Sequence, residues 1–300
     1  MMLHFAKNLL LIVCITLFYA HSQAQIFPKD VVPIISVGGP GGFNSQIVQA
    51  LQPVVANILG AQVPVDYKTG GNGVVALTHI TGIARERTTL MIGPWFANTK
   101  FDLLTDVKPV LHLGESSLMV YVRSDNNVKS LRELLTTKTK ITLGSSVPNT
   151  VEILLNTVKQ NYPNIDITSV NYRSGIEAIT AVLGGHIDVG VTPAPALMPF
   201  IADNRLVAIA NLSTGRSPVM PNISTIQEQT KWRFDGYPYL SWFMYASLGT
   251  DNETVLRLRR QLSHYILSQD GKNFLAKFDL VTTEQTFAQP EVMLKTLQPK

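Results

Sequence analysis

The sequence predicts an α/β protein of two lobes, each a mostly parallel sheet flanked by helices, with two extended crossings between the lobes. Three observations carry that prediction. Strand-like apolar runs alternate with segments of helical period, the alternation comes in two blocks, and a long apolar segment follows each block.

The first block opens with VVPIISV at 31–37, a continuous apolar run suited to a strand buried on both faces. The tight loop GGPGGFNS follows, and the apolar spacing of SQIVQALQPVVANIL predicts an amphipathic helix over 45–59. VPVDY is a second strand, TGGNG a second glycine-rich turn before a helix over 73–84, and TLMIG at 89–93 a third strand. The second block repeats this grammar. KITLGSS at 140–146 is strand and loop, NTVEILLNTVKQNY a helix, DITSVNY a strand, IEAITAVLGG a helix stopped by glycines, and IDVGVT and RLVAIANL two further strands.

SLMVYVRS at 117–124 and SWFMYASL at 241–248 are read as the crossings. Paired linkers let lobes move while each keeps its own sheet, the requirement of a type II-like periplasmic binding protein. The expected division is 1–24 as a leader, 25–120 plus 244–300 as lobe one, and 121–243 as lobe two, with a helix over 252–268 packed on lobe one.

The leader has a single lysine, Lys7, an apolar run from Leu9 to Tyr19, and small residues at Ser22 and Ala24, the layout of a secretory signal cleaved after Ala24. That run is too short to span a bilayer comfortably. Cys14 is the only cysteine, so the cleaved chain has neither disulfide nor thiol chemistry. Lipid attachment at Cys14 is the alternative, but Val13 stands before it instead of a small residue. With 45% hydrophobic and 15% charged residues the chain is neither disordered nor strongly solvated. A net charge of +4 spread along it, with Arg257, Arg259 and Arg260 the one tight basic cluster, argues against nucleic-acid binding.

Seven motifs in order then carry a resemblance: GGPGGFNS, VDYKTGGNG, FDLLTDVKPV, NYRSG, LGGHIDVGV, RLVAIANLSTGRSPVMPNISTIQE and GTDNETVLRLRRQL. Together they resemble the Bug family, the substrate-binding proteins of tripartite tricarboxylate transporters, over essentially the whole cleaved chain. The resemblance implies a periplasmic, two-lobed binding protein whose cleft grips a carboxylate through backbone amides, hydroxyls and water, without a salt bridge. It also implies membrane permease subunits as partners, or a membrane sensor kinase if the closed form delivers a signal instead of a solute. No cofactor, metal or nucleic acid belongs to this reading, and the chain is expected to be a monomer that catalyses nothing.

The local chemistry agrees with that implication. A glycine-rich turn entering a helix N-terminus exposes unpaired N–H groups where the helix dipole favours an anion, so Gly41, Gly42, Phe43, Asn44 and Ser45 form the expected cradle in lobe one. In lobe two Ser145, Ser146, Asn149 and Thr150 precede another helix and supply the opposing grip, with Tyr172 and Thr192 at the ends of neighbouring strands. Trp95, Phe96, Trp242 and Phe243 are either apolar cleft wall or plain core, and Arg173 belongs at the rim. The family's Asp just inside the first helix and its Arg four residues on are Ser45 and Gln49 here, which leaves the ligand open.

Other chemistries lack their residues. The glycine loop has Phe43 and Asn44 where a phosphate loop needs Lys and Ser or Thr. His79, His112, His186 and His264 form no metal-ligand spacing, although Glu115 lies near His112. Ser145 and Ser146 sit in no Gly-x-Ser-x-Gly elbow.

Overall fold

A computed structural model of the chain describes residues 31–82, 85–95, 100–213, 215–232, 240–282, 287 and 289–297. The leader, its cleavage site after Ala24, Cys14 and Phe96 lie outside the described residues.

Two sheets form. The first has strands β1 (Ile34–Ser36), β2 (Val65–Tyr67), β3 (Leu90–Pro94), β4 (Lys108–Ser116), β10 (Leu240–Ala246) and β11 (Leu280–Val281), in the order β11-β4-β10-β3-β1-β2. The second has β5 (Leu118–Arg123), β6 (Lys140–Ser145), β7 (Asp166–Asn171), β8 (Val189–Pro193) and β9 (Leu206–Asn211), in the order β7-β6-β8-β5-β9. In each sheet the strands joined by helical crossovers pair in parallel, β1 with β2 and β3, and β6 with β7 and β8. The strands leading into or out of the other lobe pair antiparallel: β10 with β3 and β4, and β5 with β8 and β9.

The two segments read as crossings are therefore strands inside the sheets. Residues 118–122 of β5 and all of β10 are buried, as continuous apolar runs covered on both faces must be. The chain passes from the first sheet to the second at Ser117 alone, between the end of β4 and the start of β5. Its return falls within 233–239, outside the described residues.

The helices follow the same physics. α1 (Phe43–Leu59) buries Ile47, Val48, Leu51 and Val55 along one stripe and ends on Gly60, whose φ of 62° lets its N–H close on Ala56. α2 (Val74–Thr81) starts from a turn in which Gly70, Gly71 and Gly73 all have positive φ. The second lobe adds α3 (Leu131–Thr137), α4 (Pro148–Asn161), α5 (Gly175–Leu183), α6 (Ala194–Ala202) and α7 (Ile226–Thr230). The chain then returns to the first sheet, where α8 (Asn252–Leu267) packs on α1 and β4, followed by α9 (Gln269–Lys277) and α10 (Pro290–Leu297). Arg259 braces β4 at Pro109. Its guanidinium bonds the Pro109 and Val110 carbonyls at 2.7 and 3.0 Å and pairs with Glu291, covering the stretch of β4 that β11 leaves open. Of the basic cluster, only Arg257 and Arg260 are exposed.

In the second lobe two glycines form a floor. Gly144 and Gly190 are register partners on β6 and β8, and a Cβ there would lie 2.7 Å from the Tyr172 ring and 2.1 Å from the Tyr121 ring. The absence of side chains at these two positions leaves the space that the Tyr172 and Tyr121 rings and Ile187 occupy. Gly190→Ala is expected to cost about 1–3 kcal/mol by overpacking. Urea unfolding reads it as a lower midpoint with an unchanged slope.

Candidate functional site

The glycine turn after β1 is held by one side chain. Asn44, 6% exposed, accepts from Ser36 Oγ at 2.7 Å and the Gly38 N–H at 3.1 Å, and its Nδ2 donates to the Ile92 carbonyl on β3 at 3.0 Å. Ser45, fully buried, accepts from the Gly41 N–H at 3.2 Å and from Gln49 Nε2 at 3.5 Å, while Gln49 also donates to the Tyr67 hydroxyl at 3.0 Å. Gly41 turns the chain with φ 78°, and the Gly42 N–H closes on the Gly39 carbonyl at 3.1 Å. The side chains of Asn44 and Ser45 are thus committed to the turn. What they leave over is backbone: among the described residues the N–H groups of Phe43, Asn44 and Ser45 have no partner, and the first turn of α1 has neither a side-chain cap nor an acid.

The Phe43 ring fixes that end of α1, meeting Trp242 edge-on at 5.5 Å and Phe278 at 5.8 Å between centroids. Trp242, 3% exposed with Nε1 on Ser116 Oγ at 2.9 Å, and fully buried Phe243 are core, not cleft wall. Trp95 is half-buried at the end of β3, its N–H on the Ser241 carbonyl at 2.6 Å.

Lobe two redistributes the roles read from sequence. Ser145 is 1% exposed; its hydroxyl donates to the Val191 carbonyl at 2.9 Å and accepts from the Val147 N–H at 3.0 Å, so it ties β6 to β8 and shapes the loop. Ser146 beside it is half-buried, with no hydrogen-bond partner among the described residues. α4 starts with Pro148, has no side-chain cap and carries no acid in its first turn; Thr150 there is buried, and the Asn149 side chain lies outside the described part. By contrast α5 neutralises its own start: Ser174 Oγ accepts the Glu177 N–H at 3.3 Å, and the Glu177 carboxylate accepts the Arg173 N–H at 3.1 Å. Thr192 is 1% exposed with an unpartnered Oγ1 packed beneath Gly175, where a Cβ would stand 2.3 Å from it. Tyr172 lines a surface pocket of about 400 Å³ on the flank of α5 with Ile176, Glu177, Thr180, Ala181 and His186. The Thr192 hydroxyl is therefore enclosed beneath α5, and Tyr172 lies on the flank of that helix. Sequence spacing places a residue at a strand end but does not say what the neighbouring helix lays over it.

The histidine–carboxylate coincidence is also resolved. His112 is 1% exposed, bonds Ser241 Oγ through Nε2 at 2.9 Å and meets the Phe243 ring at a tilt, and burial holds its pKa down to about 4. Burial pushes Glu115 up to about 7. Among the described residues no group of three or more His, Cys, Asp or Glu could hold a metal ion. Asp188 accepts from Lys138 Nζ and from the Thr142 N–H, both at 2.9 Å.

Two mixed sheets joined through a passage as short as Ser117, with a glycine turn and a helix start at the carboxyl end of β1, define a periplasmic-binding-protein fold. The comparisons with known proteins agree. The chain is 20% identical to MatC from Rhodopseudomonas palustris with bound malate, with a TM-score of 0.74 covering 91% of this chain and 96% of that one. It is 18% identical to an R. palustris protein solved with adipate, with a TM-score of 0.76 covering 90% and 94%. Protein BugT of Bordetella pertussis is 23% identical over 262 residues, which cover 82% of this chain and 79% of BugT. The family described as tripartite tricarboxylate transporter family receptor, TctC, matches residues 47–293. This chain belongs to that family, a family of solute-binding receptors. No described helix is long and apolar enough to cross a membrane.

Two measurements check the site's physical account. Asn44→Ala strands the Ile92 carbonyl and the Gly38 N–H, and is expected to lower stability by about 1–3 kcal/mol, read from the urea midpoint. The second is pH-dependent. The unfolded chain releases the Glu115 proton near its ordinary pKa of 4.5 and the folded chain only near 7, so this carboxyl increasingly opposes folding as pH rises between those values. His112, depressed from 6.5 to about 4, has the opposite slope, its stabilising share being lost as pH falls through that range. The melting-point advantage of Glu115→Gln over the parent is therefore expected to grow from pH 4.5 to pH 7, which paired thermal melts measure directly.

Proposed function

We propose that this chain is the extracytoplasmic receptor that captures a small carboxylate and hands it to the membrane permease of a tripartite tricarboxylate-type transporter, acting as a monomer after cleavage behind Ala24. The observation that carries this reading is the acid-free, uncapped start of α1, whose three uncommitted N–H groups follow a turn already braced by Asn44 and Ser45. A carboxylate satisfies such donors without a cationic partner, and the side chains around them need not move to admit it. The acid-free start of α4, with Ser146 and Thr150, is the opposing grip. Malate and adipate in the structures of the two R. palustris relatives support a carboxylate of this size class. Arg173 is exposed and lies outside the grip.

A thermal-shift panel of mono-, di- and tricarboxylates, malate and adipate among them, tests the proposal. At a hundredfold excess over its dissociation constant the right ligand stabilises by about 2.7 kcal/mol. In calorimetric titration with that ligand, Gly42→Val should abolish binding, because a Cβ there already stands 3.1 Å from the Gly39 carbonyl, whereas Arg173→Ala should bind as the parent does. Shifts with neutral sugars or cationic amines alone, or loss of affinity in Arg173→Ala with normal binding in Gly42→Val, would overturn the reading. Intact mass of the exported protein reports the cleavage: a species retaining Met1, or carrying lipid on Cys14, contradicts it.

A further inference from the structure

We propose that the Asp279 carboxylate is the pivot about which the two lobes turn. Asp279 is 1% exposed and is one of four non-glycine residues with positive φ among the described residues, at 50°, where the chain leaves α9 and enters β11. The antiparallel pairing of Leu280 with Ser116 sets Asp279 opposite Ser117, the residue at which the chain passes between the sheets. Ser217 Oγ lies 2.9 and 3.0 Å from the two carboxylate oxygens of Asp279, and burial raises the pKa of this carboxyl against the opposing effect of donors on Ser217, Ser117 and Val219. Ser217 and Val219 belong to the segment that follows β9 of the second sheet. A lobe-one carboxylate set beside the passage thus binds lobe two, and no salt bridge to it occurs among the described residues.

The placement favours a pivot over a latch. A bond made beside the connecting residue lies near the axis of any lobe rotation and is displaced little by it. Two carboxylate oxygens offer several acceptor directions and tolerate a swivel of their donors. The pivot is also joined to the proposed ligand seat, because the preceding residue, Phe278, meets edge-on the ring of Phe43, whose N–H is the first of the three uncommitted donors. This inference goes beyond the receptor reading, and its test uses no ligand, so the two can fail separately.

The only cysteine is Cys14, so Asn57→Cys and Lys159→Cys, at exposed positions on α1 and α4, allow spin-label distances between the lobes in the exported protein. The parent should give a narrow distribution, and Asp279→Ala one at least twice as wide. Should Asp279→Ala fail to fold, Ser217→Ala, which removes a single donor from the lobe-two side, should still widen the distribution by about half. Asp188→Ala, which cuts a carboxylate bonded only within lobe two, should leave the width unchanged. Parent-like widths in folded Asp279→Ala or in Ser217→Ala, or equal broadening in Asp188→Ala, would overturn the pivot.

Discussion

The Asn44 carboxamide is the constraint on which the lobe-one site depends. It joins the end of β1, the glycine turn and β3, spending its acceptor on Ser36 and Gly38 and its donor on Ile92. A turn of five glycine and proline residues would otherwise sample many conformations, and the three N–H groups behind it would not converge. With the turn braced from inside, the start of α1 can stay uncapped at little local cost, and on the proposed reading binding would require no reordering there.

The sequence was most legible where one local signal decided the outcome. Continuous apolar runs marked β1, β3, β8 and β9, and glycines stopped α1 and α5 at Gly60 and Gly184. β4 escaped this reading because Pro109, His112, Gly114, Glu115 and Ser116 interrupt its apolar pattern, and what rescues it is tertiary: the Arg259 fork, the bond from Ser241 and the tryptophan indole on Ser116. The apolar segments read as crossings were innermost strands, since hydrophobic length reports burial and not connectivity.

Site residues divided along a different line. Backbone donors at Phe43, Asn44 and Ser45 were inferable from a glycine turn entering a helix, because every helix start leaves such groups. Hydroxyl roles were not, since Ser145 and Thr192 face whichever neighbour the assembled sheet and helices provide. Gln49 bonds both Ser45 and Tyr67, so a neutral hydrogen-bond chain runs along the start of α1. Asp279 carried no motif, because its meaning arises only when β11 pairs with β4 and brings it beside Ser117.

The brevity of the passage at Ser117 has a thermodynamic consequence. A lobe on a long flexible tether would lose much chain entropy each time it closed, and every ligand would have to offset that loss through affinity. Here the backbone on either side of one residue is already fixed in strand ladders, so this passage has few torsions left to freeze. On the proposed reading, the free energy of a modest set of uncharged donors would then appear as affinity instead of being absorbed by ordering this passage.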